Sequence, residues 1–242
     1  VFFQSDFLIN GNVFAHENNY KTSGKLLLGP KYLTLRKEFC QKEKKISKDA
    51  NKILVCTGGA DVTNLTPRII KALNQVGKKL SVTVAVGPAF TNEKQIRKEA
   101  RKSVHKIVLK KSPTKISQLM RKADLIVCTG GVISNEAVST KTPAIVISQN
   151  EAEDRNTKGL EAKKVVERIG LQQNLSEKKL AQAIALLLND FRKRKQLSEN
   201  ARNFIDCKGS QSISDLLFAK LEEKKITLQK ADFSHCRKAF EW

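Results

Sequence analysis

ADLIVCTGGVISNEA, at residues 123–137, is the stretch that decides the fold, because residues 53–61 repeat its pattern as ILVCTGGAD. In both stretches a short apolar run ends at Thr-Gly-Gly and a helical pattern follows, which predicts a strand, a tight turn and a helix start. Adjacent glycines let the backbone approach a ligand closely, and the N–H groups that open the next helix carry partial positive charge. One such turn is more often only a turn, but two on one sheet indicate a phosphate site.

The chain around these two stretches alternates buried-type strands with helices. Because the strands are continuous apolar runs, we predict an α/β Rossmann-like fold with a doubly wound parallel sheet covered on both faces. In the strand order 3-2-1-4-5, the first and fourth strands are neighbours, so both glycine turns would lie together at the carboxyl edge. The predicted strands are residues 53–57, 81–86, 105–109, 125–129 and 144–148, and the predicted crossover helices are 66–76, 93–102, 116–122, 134–140 and 155–166.

The two ends of the chain differ from this central pattern. Residues 1–30 hold two short apolar runs, 6–9 and 25–28, which look like the last strands of a domain that starts upstream, and the chain begins with Val1 rather than Met. After residue 170 the pattern is helical, and the last dozen residues have no periodicity and are expected to be disordered. We therefore predict three parts: residues 1–50 as the end of an amino-terminal domain plus a linker, 51–172 as the nucleotide-binding domain, and 173–242 as helices packing on it.

The composition limits the classes of partner. The 242 residues carry a formal net charge of +21, which attracts nucleic acid, anionic lipid or a phosphorylated ligand. A nucleic-acid partner is not expected, since the chain has no stacking or base-reading motif, whereas an anionic membrane surface remains a candidate. No apolar run approaches the roughly 20 residues of a membrane span and no leader pattern is present, so we expect a cytoplasmic protein.

The cysteines and histidines are not assigned to chemistry. The five cysteines are odd in number and form no C-x-x-C pair, so all five are expected to be reduced packing residues. The three histidines have no carboxylate or cysteine at metal or triad spacing, and none is assigned a role. The sequence thus predicts no metal site.

The two turns supply a set of candidate ligand contacts. A diphosphate between them would accept N–H bonds from residues 58–61 and 131–134, with the side chains of Thr66, Ser134 and Asn135 as further donors. Glu136, one turn into the following helix, could accept both hydroxyls of a ribose, or it could simply be a first-turn glutamate favoured by the helix dipole. The polar run SQNEAEDRN at 148–156 could contact a sugar or only cap the next helix.

Several of these strings are familiar. GPKYLTLRKEF at 29–39, ILVCTGGADVTNLT at 53–66, the glycine stretch at 123–137 and PAIVISQN at 143–150 resemble the UDP-sugar hydrolase of the pseudaminic acid pathway and the related spore-coat polysaccharide biosynthesis proteins. More distantly, they resemble the N-acetylglucosaminyl transferase of peptidoglycan synthesis and the glycosyltransferase family 28 C-terminal domain. The likeness runs from about residue 6 to residue 213.

The resemblance implies the carboxyl-terminal half of a GT-B fold, which holds the UDP part of a sugar nucleotide. It implies no metal and no cofactor, and its partner would be a UDP-sugar together with a separate or missing amino-terminal domain. The ligand residues that it implies are Gly58, Gly59 and Asp61 in the first loop, Gly130, Gly131 and Ser134 in the phosphate loop, Glu136 at the ribose, and Gln149 and Asn150 at the sugar.

The sequence departs from these hydrolases at the catalytic base. Their first domain carries a glycine-rich loop with the histidine expected to activate water, and His16, in NVFAHENN, does not match that loop. The catalytic residues are therefore unknown, and whether the chain acts alone as an enzyme is left undecided. Three readings stay open: a nucleotide-sugar hydrolase, a GT-B glycosyltransferase and a non-catalytic donor-binding subunit.

Overall fold

The computed structural model describes residues 2–40 and 43–223. These residues form two compact units. The small unit consists of residues 2–40 and 205–223, and the sheet unit consists of residues 43–204. The predicted division of the chain after residues 50 and 172 stays a prediction, and the expectation for the last dozen residues lies outside the described part.

Strands and helices follow one another in a simple order. The small unit opens with four short strands: β1 (Phe2–Phe3), β2 (Phe7–Asn10), β3 (Lys21–Thr22) and β4 (Lys25–Leu28). The sheet unit then contains β5 (Lys52–Cys56), α1 (Leu65–Leu73), β6 (Ser81–Val86), α2 (Glu93–Arg101), β7 (Lys106–Lys111), α3 (Ile116–Lys122), β8 (Leu125–Thr129), α4 (Val132–Ser139), β9 (Ala144–Ser148), α5 (Glu151–Ala162), β10 (Glu167–Leu171), α6 (Glu177–Asn189) and α7 (Phe191–Phe204). The last described helix, α8 (Gly209–Glu223), returns to the small unit.

In the small unit, the strands pair in parallel as β1 with β3 and β2 with β4. The two apolar runs predicted as strands are thus β2 and β4, and Leu27 of β4 is fully buried. This unit is assembled from both ends of the described chain, because α8 contacts the short 3-10 turn at Pro30–Tyr32.

The sheet unit confirms the predicted doubly wound fold and extends it by one strand. Its six parallel strands lie in the order β10-β9-β8-β5-β6-β7, so the five predicted strands have the predicted order. The sixth strand, β10, was not among the five predicted from the sequence. Strand β10 carries charged residues and bends at Gly170, which has a φ of 103°, so it has no continuous apolar run by which the sequence could reveal it.

The core of the sheet unit lies between one face of the sheet and α1, α2 and α6. Ile53 and Val55 of β5 and Leu125 and Val127 of β8 point into this core, and all are at most 1% exposed. Ile69, Ile70 and Leu73 of α1 pack into the same core and are fully buried. Packing on both faces fixes β5 and β8 and therefore fixes the turns that follow them.

Arg194 of α7 ties the helices to the segment that precedes β5. Its side chain is fully buried, and its guanidinium donates to four backbone carbonyl groups. The acceptors are Leu187, Leu188, Ser47 and Lys48. A buried charge needs such a set of partners, because an unpaired guanidinium in the core would be strongly destabilising.

The prediction that all cysteines are reduced was wrong for two of them. Cys40 and Cys207 form a disulfide within the small unit, with their Cα atoms 5.6 Å apart. They are separated by 167 residues, so no local spacing rule could have paired them. Cys56 and Cys128 are free and buried, as predicted, and Cys236 lies outside the described residues.

Within residues 2–40 and 43–223, no helix is both long enough and apolar enough to cross a membrane.

Lys44 is expected to make the free energy of unfolding of the sheet unit vary with pH in the alkaline range. Its ammonium donates to the carbonyl groups of Arg121 and Ala123, and burial lowers its pKa from 10.5 to about 8. Because the folded state then binds fewer protons than the unfolded state, the contribution of Lys44 to the free energy of unfolding rises by about 3 kcal/mol as the pH increases from 8 to 10.5. Below pH 8 the Lys44 ammonium is charged in both states, and the destabilisation caused by burying it is fully present.

The measurement is urea unfolding of the wild type, Lys44→Met and Lys45→Met between pH 7 and pH 11. Lys45 is an exposed neighbour and serves as the matched control. We expect the free energy of unfolding of the wild type, minus that of Lys44→Met, to rise over this pH range, and the difference between the wild type and Lys45→Met to stay constant. Equal pH profiles for all three proteins would contradict the assignment to Lys44.

Candidate functional site

The two glycine turns lie side by side at the carboxyl edge of the sheet. Strands β5 and β8 pair in parallel with Cys56 opposite Cys128, so the Thr-Gly-Gly that follows each strand leaves the sheet at the same level. The juxtaposition that was inferred from spacing is therefore confirmed. This edge, next to the strand at which the winding reverses, is where open α/β sheets bind ligands.

The first turn exposes its backbone. Gly58 has a φ of 95°, a left-handed conformation that glycine adopts without strain. A side chain added at Gly58 or Gly59 would meet no other atom within 4 Å, so the space beside both residues is open. A phosphate could therefore approach the backbone of this turn directly.

Gly87, which follows β6, packs against the backbone of the first turn. The amide of Ala89 donates to the carbonyl of Gly59 at 3.0 Å, and the Cα of Gly87 packs directly on the backbone of Gly58 and Gly59. Gly87 was not among the residues that the sequence predicted to shape the site. The Gly-Pro pair that ends β6 was the available signal, since it marks a turn at the same edge of the sheet.

Asp61 has a structural role in this turn. Its carboxylate accepts hydrogen bonds from the amides of Leu65 and Thr66, each at 2.9 Å, and from the side chain of Asn92 at 2.8 Å. These bonds occupy the amino terminus of α1, whose N-cap residue is Asn64. The predicted contact between Asp61 and a ligand stays a prediction.

Thr66 is also turned into the protein. It is fully buried, and its hydroxyl shares a hydrogen bond of 2.9 Å with the hydroxyl of Thr57, the residue that ends the first strand run. This bond fixes the start of α1 against the first glycine turn. Thr66 therefore shapes the turn, and its predicted role as a ligand donor stays a prediction.

The second turn is held from within by Ser134. The Ser134 hydroxyl donates to the carbonyl of Gly131 at 2.7 Å and to that of Gly130 at 3.1 Å, and the residue is fully buried. Asn135 beside it is 6% exposed. The Ser134 hydroxyl is therefore used to shape the turn, and its predicted contact with a ligand stays a prediction.

Glu136 lies one turn into α4 and is half-buried. Its carboxylate is close enough to both strand ends to act on the thiols there. Burial raises the pKa of Cys56 to about 12 and raises that of Cys128 as well, and the charge of Glu136 adds to both shifts. Neither thiol is thus a nucleophile near neutral pH, and the predicted contact between Glu136 and a ribose stays a prediction.

The loop that follows β9 lies next to the first turn. Gln149 accepts a hydrogen bond from the hydroxyl of Thr63 at 3.2 Å, which joins this loop to the segment between β5 and α1. Asn150 is the N-cap of α5, because its side-chain oxygen accepts from the amide of Glu153 at 3.0 Å. The structure thus supports the capping interpretation for Asn150, and the sugar contacts of both residues stay predictions.

Glu153 is the acidic residue that the sequence analysis did not single out. Its carboxylate accepts from the amide of Gly130 at 3.1 Å and from the amide of Gln149 at 2.8 Å, so it bridges the second turn and the loop after β9. The polar run at 148–156 was the signal for this contact. It contains three acidic residues, and only the geometry of α5 decides which one faces the turn.

The described residues contain no group of three or more histidine, cysteine or acidic side chains that could hold a metal ion. His105 is a packed residue: its Nε2 lies 2.6 Å from the carbonyl oxygen of Leu73, and its Nδ1 accepts from the amide of Leu80.

The parallel sheet, the strand order and the paired turns define the Rossmann-like half of a GT-B protein. Residues 52–217 match the Glycosyltransferase family 28 C-terminal domain, and the chain belongs to this family.

Three relatives show how far the likeness extends. Spore coat polysaccharide biosynthesis protein SpsG of Bacillus subtilis is 24% identical over 219 residues, which covers 88% of this chain and 64% of that protein. The UDP-2,4-diacetamido-2,4,6-trideoxy-beta-L-altropyranose hydrolase of Campylobacter jejuni is 26% identical over 140 residues, covering 56% and 50%. An uncharacterised protein of Methanocaldococcus jannaschii is 34% identical over 131 residues, covering 51% and 27%. The chain thus spans between about a quarter and two thirds of the length of these relatives.

Solved structures confirm the fold. MurG of Acinetobacter baumannii superposes with a TM-score of 0.65 at 16% identity, covering 87% of this chain and 65% of that one. The HepE protein of Anabaena, in complex with UDP and glucose, gives 0.57 at 16% identity, covering 81% and 57%. At such identities the likeness concerns the fold alone.

Proposed function

We propose that the sheet unit binds a UDP-sugar and holds it for displacement at the anomeric carbon, with water as the acceptor. The protein would then be a nucleotide-sugar hydrolase of surface-polysaccharide or pseudaminic acid biosynthesis. The observation that carries this proposal is the pair of adjacent glycine turns, with the half-buried Glu136 beside the ends of both strands. The family and the names of two relatives agree with it.

Each part of the ligand has a proposed partner. The diphosphate lies between the turn of Gly58 and Gly59 and the turn of Gly130 and Gly131, where backbone amides stabilise the negative charge that develops on the leaving group. The carboxylate of Glu136 accepts the two ribose hydroxyls. Gln149 and Asn150, in the loop that touches the first turn through Thr63, face the sugar.

Calorimetric titration with UDP, CDP and GDP at moderate salt tests the proposal. We expect saturable binding with a preference for UDP, since a hydrogen-bonding site discriminates between bases whereas a basic surface attracts all three equally. Binding that falls steeply with salt and ignores the base would instead indicate general attraction by the positive charge of the chain.

Glu136→Ala is expected to weaken UDP binding about ten- to a hundredfold, because two hydrogen bonds to a charged acceptor contribute about 1.5 to 3 kcal/mol. Glu177→Ala is the control, because Glu177 is a helical glutamate in the first turn of α6 and lies outside the proposed site. If Glu136 made no contact with the ribose, neither variant would change UDP affinity.

A GT-B glycosyltransferase is the second candidate, favoured by the family to which the chain belongs. It would use the same donor site and pass the sugar to an alcohol. Incubating the protein with a UDP-sugar in the presence and absence of added acceptors separates the readings: release of free sugar supports the hydrolase, and acceptor-dependent release of UDP supports the transferase. Binding without either reaction supports a donor-binding subunit that works with a separate amino-terminal domain.

We also propose that this reaction takes place in the cytoplasm and that the basic surface of the chain faces an anionic membrane when the acceptor is a lipid. The disulfide between Cys40 and Cys207 argues against a reducing cytosol, since disulfides are uncommon there, and it makes the compartment testable. Modification of both residues by an alkylating agent in intact cells would support the cytoplasmic location. Complete protection of both would place the protein in an oxidising compartment.

A further inference from the structure

The carboxylate of Glu153 lies where the proposed site should hold an anion. Its Oε2 accepts from the amide of Gly130 at 3.1 Å and from the amide of Gln149 at 2.8 Å, and its Oε1 accepts from the Gln149 side chain at 3.3 Å. A side chain added at Gly131 would have its first carbon 3.4 Å from Oε1. The protein's own carboxylate thus covers both glycines of the second turn.

This contact uses the groups that a phosphate would use. Backbone amides at a glycine turn bind anions because they present concentrated partial positive charge, and a carboxylate satisfies them as a phosphate oxygen does. Glu153 therefore keeps the turn in an anion-binding shape, and it also occupies the place of the anion. A ligand phosphate and the carboxylate cannot both accept from the Gly130 amide, since two negative charges at that distance repel each other.

The side chain can leave without unfolding its helix. Glu153 belongs to the first turn of α5, and the cap of that helix runs through its backbone amide to Asn150. The carboxylate is half-buried and reaches the turn from the surface of the unit. Rotation of the Glu153 side chain would expose the Gly130 amide while α5 and the turn stay in place.

We infer that Glu153 is a specificity-determining residue of the donor site, an inference that rests on the proposed function. Its carboxylate excludes free inorganic phosphates from the second turn. It yields only to a phosphate group that is anchored through a nucleoside, because the base and ribose contacts then add to those of the phosphate. The site consequently selects nucleotides over the phosphate ions that are abundant in any cell.

The test compares the wild type, Glu153→Gln and Glu151→Gln by calorimetric titration with pyrophosphate, UDP and uridine. Glutamine keeps the size and one acceptor oxygen of Glu153 but removes its charge. Glu151 is an exposed acidic residue in the same helical turn and is the matched control. We expect Glu153→Gln to bind pyrophosphate at least about tenfold more tightly than the wild type, to gain in UDP affinity as well, and to bind uridine unchanged.

Site-resolved NMR makes the outcomes distinguishable. Pyrophosphate should shift the amide resonances of Gly130 and Gly131 in Glu153→Gln and in Glu153→Ala, and should leave them unshifted in the wild type and in Glu151→Gln. Equal pyrophosphate affinity in the wild type and in folded Glu153→Gln would overturn the inference. If UDP binds no better than pyrophosphate to either Glu153 variant while the two amides still shift, the proposed function fails and the role of Glu153 at the turn stands.

Discussion

Gly87→Ala is expected to lower the free energy of unfolding by about 3 kcal/mol and to weaken UDP binding by more than about tenfold. A methyl group on Gly87 would overlap the carbonyl of Gly59 and lie 2.7 Å from the carbonyl oxygen of Gly58. Both obstacles are backbone atoms, which cannot rotate away as a flexible side chain can. The first glycine turn must therefore shift, and the proposed diphosphate site shifts with it.

The measurements are urea unfolding and calorimetric titration with UDP. Gly77→Ala is the matched control, because Gly77 is an exposed glycine and an added methyl group there would meet nothing within 4 Å. We expect Gly77→Ala to behave as the wild type in both experiments. A Gly87→Ala protein with the stability and affinity of this control would show that the turn does not depend on its support from β6.

The framework of the sheet unit could be predicted from sequence because its signals are local and repeated. Three strands, β6, β8 and β9, have the predicted bounds: all residues of β8 and β9 are buried, and so are four of the six residues of β6. Strand order then followed from the rules for parallel crossovers. Strand β10 could not be found in this way, because it is an edge strand paired only with β9, and its sequence ERIGL begins with two charged residues and is interrupted by a glycine.

The candidate site was predictable only at the level of its backbone. Two Thr-Gly-Gly strings locate the turns, but no local pattern says whether a polar side chain faces the ligand or the protein. Asp61, Thr66 and Ser134 all direct their polar atoms to the backbone or to a neighbouring hydroxyl. Such short polar side chains compete for nearby amides and carbonyl groups, so their direction depends on the tertiary arrangement of the turn.

Contacts between distant segments were the least predictable. Glu153 reaches Gly130 across 23 residues, and Gly87 packs on a turn that precedes it by 28 residues, counted from Gly59. Both contacts arise because strand order brings separate loops to one edge of the sheet. These two contacts can be recognised only once the strand order of the sheet is known.

The disulfide between Cys40 and Cys207 is the most distant of these contacts and carries the other large prediction. Reducing it is expected to lower the free energy of unfolding of the small unit by about 2 to 5 kcal/mol. The bond joins residues 167 positions apart, and a cross-link over so long a loop removes much of the conformational freedom of the unfolded chain. The small unit is built from two segments that are distant in the sequence. Among the described residues, the disulfide is the only covalent bond that joins these two segments directly.

Hydrogen exchange with and without a thiol reductant measures this effect separately for each unit. We expect amides of β4, where Leu27 is fully buried, to lose protection on reduction, and amides of β5 to keep it. Cys207→Ser should behave like the reduced wild type and should not respond to reductant. The cysteines of the sheet unit, Cys56 and Cys128, are already free, so a reductant has no bond to break there. A loss of protection confined to β5 would therefore contradict the role assigned to the disulfide.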